Sequence, residues 1–269
     1  MNKYGDDMTE YYWNGPEDSD EEIEELMFAK TEWEKVNGPR FSKRGIIEYC
    51  EKFLAHENAN NKKDKKNAKL WEEKMTSPTL KMWLKKNGSN FSDQPYMRTD
   101  SVFNQKYQMH KLLKVIYDPK HNIKWDKLIG EEGIKEGVNE KTNSASFLYT
   151  HNRKQYTIAA RDFYEKGFNF YDNGKFYRYS TSVPDAQMQG LNGEAPRCPE
   201  RPNTVRAEVL INVSMMWRSP DGKINSVLIS QADFKIKAPL FMINSFLPKA
   251  AKNWRENVDK YYLKNNKKM

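Results

Sequence analysis

Cysteine and histidine are scarce in this chain of 269 residues. The two cysteines, Cys50 and Cys198, lack neighbours at the paired Cys/His spacing of a zinc site, and the four histidines are scattered. We therefore expect a reducing compartment, no bound metal and no cofactor.

Long apolar runs are also missing. The longest, residues 239–243, is far shorter than the roughly 20 residues that span a bilayer, and the N-terminus is polar and acidic rather than signal-like. Charged residues make up 30% of the chain. These features exclude a membrane-embedded protein and predict a cytoplasmic one.

Charge is unevenly distributed along the chain. Residues 1–36 hold twelve acids and three bases, a net charge of −9; since the whole chain carries +8, residues 37–269 carry +17. A basic surface favours nucleic acid or the head groups of acidic membranes. No familiar nucleic-acid-binding signature is present, so we expect contact with anionic membranes and no nucleic acid. The alternative is that the positive charge reflects only an Asn/Lys-rich composition, with lysines that are solvated and bind no partner.

Composition and periodicity divide the chain into three parts. Residues 1–18 are rich in acids, with glycine and proline, and predict a disordered lead-in. Residues 19–77 predict an N-terminal helical segment, with a second helical region at about 42–75. Residues 78–265 change to a period of two and predict a sheet domain.

Alternating side chains in this third part predict an antiparallel sheet of about seven to nine strands. Helices at about 104–117 and 122–129 interrupt it, and a helix at about 240–262 follows it, so the fold class is α+β. The predicted strands lie at about 80–85, 94–102, 144–151, 154–166, 168–171, 175–183, 203–218 and 224–236.

The strand at 205–217 has the clearest pattern, since Val205, Ala207, Val209, Ile211, Val213, Met215 and Trp217 alternate onto one face. In the terminal helix, Pro248 removes the bond to the carbonyl of Asn244, so this helix either kinks there or begins with a separate turn. A curved sheet closed by one amphipathic helix encloses a cavity or packs as an ordinary core, and periodicity does not distinguish these.

Several short motifs occur in a consistent order between residues 78 and 262. Together they resemble the START family of lipid-transfer domains, whose helix-grip fold wraps a curved sheet around a C-terminal helix. The motifs are Trp125-Asp126, Arg161-Asp162-Phe163, Val205-Arg206-Ala207-Glu208, and Asp233 before a proline-containing helix.

The resemblance implies one lipid in a hydrophobic tunnel closed by the terminal helix, with a phospholipid favoured over a sterol. For Arg161 and Arg206, a structural ion pair is the alternative to contact with a head group. The residues expected to line the tunnel are Asp126, Phe147, Tyr149, Arg161, Phe163, Arg178, Arg206, Glu208, Leu210, Phe234, Ile243, Phe246, Leu247 and Trp254.

Two departures from the family pattern concern the head group. Members that bind phosphatidylcholine place an arginine where this chain has Asn122, and an aromatic of their choline cage falls on Leu210. Cage aromatics stabilise a quaternary ammonium through their ring faces. A choline head group is therefore permitted but not favoured over other lipids.

The start of the terminal helix combines apolar and basic residues. Leu240, Phe241 and Met242 precede Lys249 and Lys252, and such an apolar wedge with a basic collar suits an anionic membrane surface. We expect this segment to contact the membrane transiently.

Two other classes of function compete with lipid transfer. Catalysis lacks support, because the chain has no Gly-x-Ser-x-Gly elbow and no recognisable Ser/His/Asp or paired-carboxylate arrangement; we expect a protein that is not an enzyme, with no catalytic residues. A lipid-sensing regulatory or adaptor module, with the acidic N-terminus binding a partner, stays open.

Overall fold

A computed structural model describes part of the chain, and the predictions for residues 1–18 lie outside it, as do most of those for 19–77. The described residues are 47–48, 50–51, 54–55, 69–85, 92, 94–137, 145–154, 158–182, 201–236 and 240–267. Among them, side chains are described except those of residues 132–137, 145–147, 166, 168, 170, 240, 242 and 243.

Ten strands and three helices are described in residues 69–267. In chain order they are β1 (Trp71–Thr76), β2 (Leu80–Lys85), β3 (Tyr96–Phe103), α1 (Met109–Tyr117), α2 (Pro119–Trp125), β4 (Ile129–Gly137), β5 (Ala145–Asn152), β6 (Ala160–Asp172), β7 (Lys175–Ser182), β8 (Thr204–Arg206), β9 (Glu208–Arg218), β10 (Ile224–Asp233) and α3 (Leu240–Asn265).

The strands form one open, curved sheet in the order β1-β2-β3-β10-β9-β7-β6-β5-β4. The short strand β8 pairs in parallel with β6, and the other described pairs are antiparallel. The α+β helix-grip architecture is confirmed, while the sheet has ten strands rather than seven to nine.

Two local predictions were wrong. Residues 71–75 form part of the edge strand β1 rather than a helix, because pairing with β2 outweighs the helical spacing of Trp71 and Met75. Strand β4 was missed because its glycines and glutamates lack an apolar alternation.

The second helix begins at Pro119, where the Asp118 side chain accepts a hydrogen bond from the Lys120 N–H at 2.9 Å.

The sheet has two covered faces. Directly opposed residues of paired strands share a face, so the pairing register assigns every strand position. The inner face carries Phe176 and Met216, which pack in one cluster with Val258 and Tyr262 of α3. The outer face carries Tyr177, whose hydroxyl donates to the Glu51 carboxylate at 3.0 Å.

The apolar stripe of β9 does not stay on one face. A β-bulge places Leu210 as an extra residue opposite the step from Gln231 to Ala232. Val209, before the bulge, packs with inner-face Phe163, whereas Ile211 and Val213 lie on the outer face with Tyr179. The prediction of a single apolar face for 205–217 was therefore wrong.

Helix α3 runs through Pro248 without beginning there. Its second half is anchored, since Tyr107 donates to Asp259 at 2.7 Å and the Tyr262 hydroxyl accepts the Gln108 N–H at 2.8 Å. Near its start, the Phe241 side chain is 73% exposed. Neither α3 nor another described helix is long and apolar enough to cross a membrane.

Candidate functional site

A carboxyl group lies buried on the inner face of β6. The Glu165 side chain is 8% exposed and accepts a hydrogen bond from the Ser180 hydroxyl at 2.6 Å. Burial raises the pKa of Glu165, while the charge of Arg178 and the bond from Ser180 oppose the shift. The inner face thus holds an ionisable group whose charged form is costly without a further partner.

A guanidinium group lies on the neighbouring strand β7. Arg178 stacks over the Tyr117 ring at 4.9 Å and donates to the Asn169 amide oxygen at a long 3.4 Å. Its Nε is buried and has no hydrogen-bond partner among the described residues. A buried donor without an acceptor costs free energy, so this atom is available to a ligand oxygen.

Polar side chains continue across the inner face onto β9. The Tyr117 hydroxyl lies 3.1 Å from the Ser214 hydroxyl, and burial raises the pKa of Tyr117, which keeps its phenol protonated. The side-chain oxygen of Asn212 is buried without a hydrogen-bond partner in the described part of the chain. We call Tyr117, Glu165, Asn169, Arg178, Ser180, Asn212 and Ser214 the inner polar cluster.

Toward β2 and β3 the same face carries larger apolar side chains together with the hydroxyl side chains of Thr99, Ser101, Ser226 and Ser230. Its register brings Met82, Leu84, Met97 and Leu228 onto the inner face, beyond the inner polar cluster. Met82 and Leu84 are buried. One continuous face therefore combines ionisable groups on β6 and β7 with apolar and hydroxyl side chains on β2, β3 and β10, which suits an amphipathic ligand.

Among the predicted tunnel residues, Phe163, Arg178, Phe234 and Trp254 lie at the inner face or against its core, and the register places Arg161 on the same face. Arg178 belongs to the inner polar cluster. Phe163 meets Phe234 edge to face, with ring centroids 5.8 Å apart. Trp254 of α3 packs edge to face on Trp125, at 6.3 Å.

Three predicted charged residues serve the chain itself. The Arg161 guanidinium donates to the backbone carbonyls of Ala159, Phe234 (3.0 Å) and Lys235 (3.4 Å). Arg206 pairs with Asp162, and Glu208 is exposed with Lys235 at 3.2 Å. These contacts favour structural roles over head-group contact.

Other predicted residues stand apart from the cluster. Tyr149 lies on the outer face, where it donates to Asp162 at 3.4 Å and accepts from Arg201 at 3.1 Å. Asp126 ends α2 and accepts the Leu128 N–H at 2.9 Å, and burial raises its pKa. Leu210 is half-buried at the bulge.

The predicted residues of α3 are described in part. Phe241 and Phe246 are exposed, Leu247 is half-buried, and Lys249 and Lys252 are exposed. Four predicted side chains lie outside the described ones: Phe147, Leu240, Met242 and Ile243.

Sequence reasoning missed most of the inner polar cluster. The alternating polar residues at 178, 180 and 182, and at 212 and 214, were a detectable signal, but such positions normally indicate a solvent-facing side. For metal binding, no three His, Cys, Asp or Glu side chains of the described residues gather into a site.

No protein-family model and no curated protein sequence matches the chain. Solved structures do resemble it. Human StAR-related lipid transfer protein 5 has a TM-score of 0.64 at 15% identity, covering 87% of this chain and 99% of that one. Human STARD10 has a TM-score of 0.61 at 15% identity, covering 84% and 83%.

A bacterial structure extends the likeness. A STAR-related lipid transfer protein fragment from Xanthomonas axonopodis has a TM-score of 0.51 at 13% identity, covering 70% of this chain and 96% of that one. At these identities the comparisons establish a shared fold, that of StAR-related lipid-transfer structures. Lipid transfer is named for those proteins.

Proposed function

We propose that the protein binds one lipid between the inner face and α3 and transfers it between membranes, acting in the cytoplasm without catalysis. A phospholipid is favoured over a sterol. The observation that carries this proposal is the mixed inner face, which combines the ionisable Glu165 and Arg178 with the apolar Met82 and Met97. The shared fold supports it.

The free energy needed to carry a lipid through water supports an enclosed apolar region. Withdrawing a lipid chain from water is worth about 0.8 kcal/mol per methylene group, so a diacyl lipid travels through water only if its chains are covered. Helix α3 supplies a cover whose second half packs on the sheet at Val258 and Tyr262. A lipid-sized cavity bounded by residues 154–183 and 203–236 under this helix stays a prediction.

Lipid extraction and native mass spectrometry of the purified protein test binding, and a vesicle-to-vesicle assay with fluorescent phospholipid tests transfer. We expect a one-to-one lipid complex and transfer that depends on protein concentration. Stable binding without net transfer would instead indicate a lipid-sensing adaptor. Conversion of the lipid during incubation would indicate an enzyme, and the absence of any bound lipid would contradict the proposal.

A further inference from the structure

Glu165 and Arg178 are ionisable groups of opposite sign on the inner face, and they do not pair with each other. All contacts of these two side chains among the described residues are accounted for, and none joins them. Yet the charge of Arg178 does act on the Glu165 carboxyl. The two groups therefore lie near enough to influence each other without a direct ion pair.

The strand register gives the positions of the two groups. Glu165 is opposite Ser182, Arg178 is opposite Asn169, and the pair Gly167–Ser180 lies between them. Four residues along a strand correspond to roughly 13 Å. Because the Glu165 carboxyl already reaches Ser180, it extends over part of that distance toward Arg178. An acceptor and a donor therefore lie at neighbouring positions of the inner face without a hydrogen bond between them.

A ligand that carries both charges would satisfy both groups. A buried ion is costly unless it is paired and hydrogen-bonded. A phosphodiester would accept from the guanidinium of Arg178, whose Nε lacks an acceptor among the described residues. A cationic nitrogen with N–H groups would donate to the Glu165 carboxylate and favour its charged form.

The number of N–H groups on that nitrogen decides between head groups. A quaternary ammonium has no hydrogen to donate and is instead bound by aromatic ring faces. The Tyr117 ring is covered by Arg178, Tyr149 lies on the outer face, and Leu210 stands at the expected cage position. The inner-face rings of Phe163 and Phe234 pack edge to face against each other, with centroids 5.8 Å apart. A primary ammonium, with three donors, matches the carboxylate better.

We infer that the lipid is a zwitterionic phospholipid with a primary ammonium, of the phosphoethanolamine type, whose phosphate lies beside Arg178 and whose ammonium donates to Glu165. This inference rests on the proposed function and names the class of lipid. It also assigns Glu165 as the residue that discriminates between head groups.

A methylation series tests this assignment at constant phosphate and acyl chains. The protein is incubated with vesicles containing phosphatidylethanolamine, its N-methyl and N,N-dimethyl forms, or phosphatidylcholine, and loading is measured by native mass spectrometry. We expect loading to fall stepwise, by about tenfold or more from the first lipid to the last, which corresponds to losing a hydrogen bond to a charged group.

Two variants and a control identify the residue responsible. Glu165→Gln keeps an acceptor for Ser180, and we expect it to load phosphatidylethanolamine and phosphatidylcholine equally. Arg178→Gln should reduce both lipids by the same factor. Glu208→Gln removes an exposed carboxylate and should keep the wild-type preference, and circular dichroism checks that each variant folds.

Three results would overturn the inference. These are equal loading of the four lipids by the wild type, an unchanged preference in Glu165→Gln, or preferential loading of a neutral lipid such as a sterol, ceramide or diacylglycerol. Each of them would leave lipid binding itself standing. Failure to load any lipid would overturn the proposed function, and the inference with it.

Discussion

The guanidinium of Arg206 forms two parallel hydrogen bonds with the carboxylate of Asp162, at 2.8 Å from Nε and 3.1 Å from the second nitrogen. The Asp162 side chain is 4% exposed, and that of Arg206 is 31% exposed. The pair joins β8 to β6 on the outer face, where Tyr149 also donates to Asp162. It therefore holds the sheet together away from the inner polar cluster.

Replacing Arg206 with glutamine should lower the free energy of unfolding by about 2 kcal/mol, because the buried carboxylate of Asp162 loses its charged partner while Arg206 is partly solvated. Urea denaturation measures the loss. Lys252→Gln, which disturbs only an exposed 4.0 Å contact with Glu256, is the control and should change stability by less than about 0.5 kcal/mol. A changed lipid preference in Arg206→Gln would contradict the structural role.

The ionisation of Glu165 should make stability depend on pH. Burial raises its pKa in the folded state, so the folded protein retains a proton that the unfolded chain releases. The stabilisation that this retained proton gives the folded state is complete below the unfolded pKa of 4.5. It is lost as the pH rises through the pKa of Glu165 in the folded state. Glu165→Gln, which mimics the protonated form, should gain stability relative to the wild type as the pH rises from 4.5 toward neutrality.

Urea denaturation of ligand-free protein across that range measures this difference. Asp221→Asn provides a control of opposite sign, since hydrogen bonds from Lys223 and Ser219 lower the pKa of Asp221 to about 2 and favour its charged form. The amount by which Asp221→Asn is less stable than the wild type should shrink as the pH falls. A difference between Glu165→Gln and the wild type that does not vary with pH would show that Glu165 ionises normally.

The exposed aromatics at the start of α3 should set the rate of membrane contact. Replacing Phe241 and Phe246, which are 73% and 51% exposed, with serine should slow transfer from anionic vesicles by about tenfold, with little change in thermal stability. Leu263→Ser removes an apolar side chain of similar exposure, 60%, near the other end of the helix. Equal slowing by both changes would assign no special role to the first turns.

Pro248 should determine how readily the first half of α3 separates from the second. Its ring leaves the Asn244 carbonyl without a helical donor, while Tyr107 and Tyr262 anchor the part that follows. Pro248→Ala should restore that bond, stiffen the helix and slow lipid uptake and release together, leaving the identity of the bound lipid unchanged. Stopped-flow exchange measures both rates, and wild-type rates in the variant would rule out a hinge at this position.

Local patterns predicted much of the architecture. Alternation located β2 and β7 almost to the residue and the start of β10, and apolar spacing located α3. The turn between β6 and β7 lies at Asn173 and Gly174. At Asn173, φ is +46°, and at Gly174 it is +77°, a conformation that these two residue types adopt readily. Where pairing with a neighbour outweighed local preference, as in β1, the same reasoning failed.

The arginines show why a site is harder to predict than a strand. Three arginines occur in strands and have the same chemistry, yet their surroundings differ. Arg161 donates to backbone carbonyls, and Arg178 lies in the inner polar cluster. Arg206 pairs with a carboxylate of the outer face. Which acceptor each one reaches depends on strands distant in sequence. Only the register of β6, β7 and β9 distinguishes them.

By itself, the sequence determined the position of most strands along the chain, the amphipathic terminal helix and the presence of polar residues within otherwise apolar strands. Only the tertiary structure decided that Glu165 and Arg178 share the inner face while Ile211 and Val213 lie on the outer one. The physical reason is that a period of two separates alternate residues but does not say which set faces the helix. When both faces are covered and a bulge changes the phase within one strand, pairing partners far along the chain set that choice.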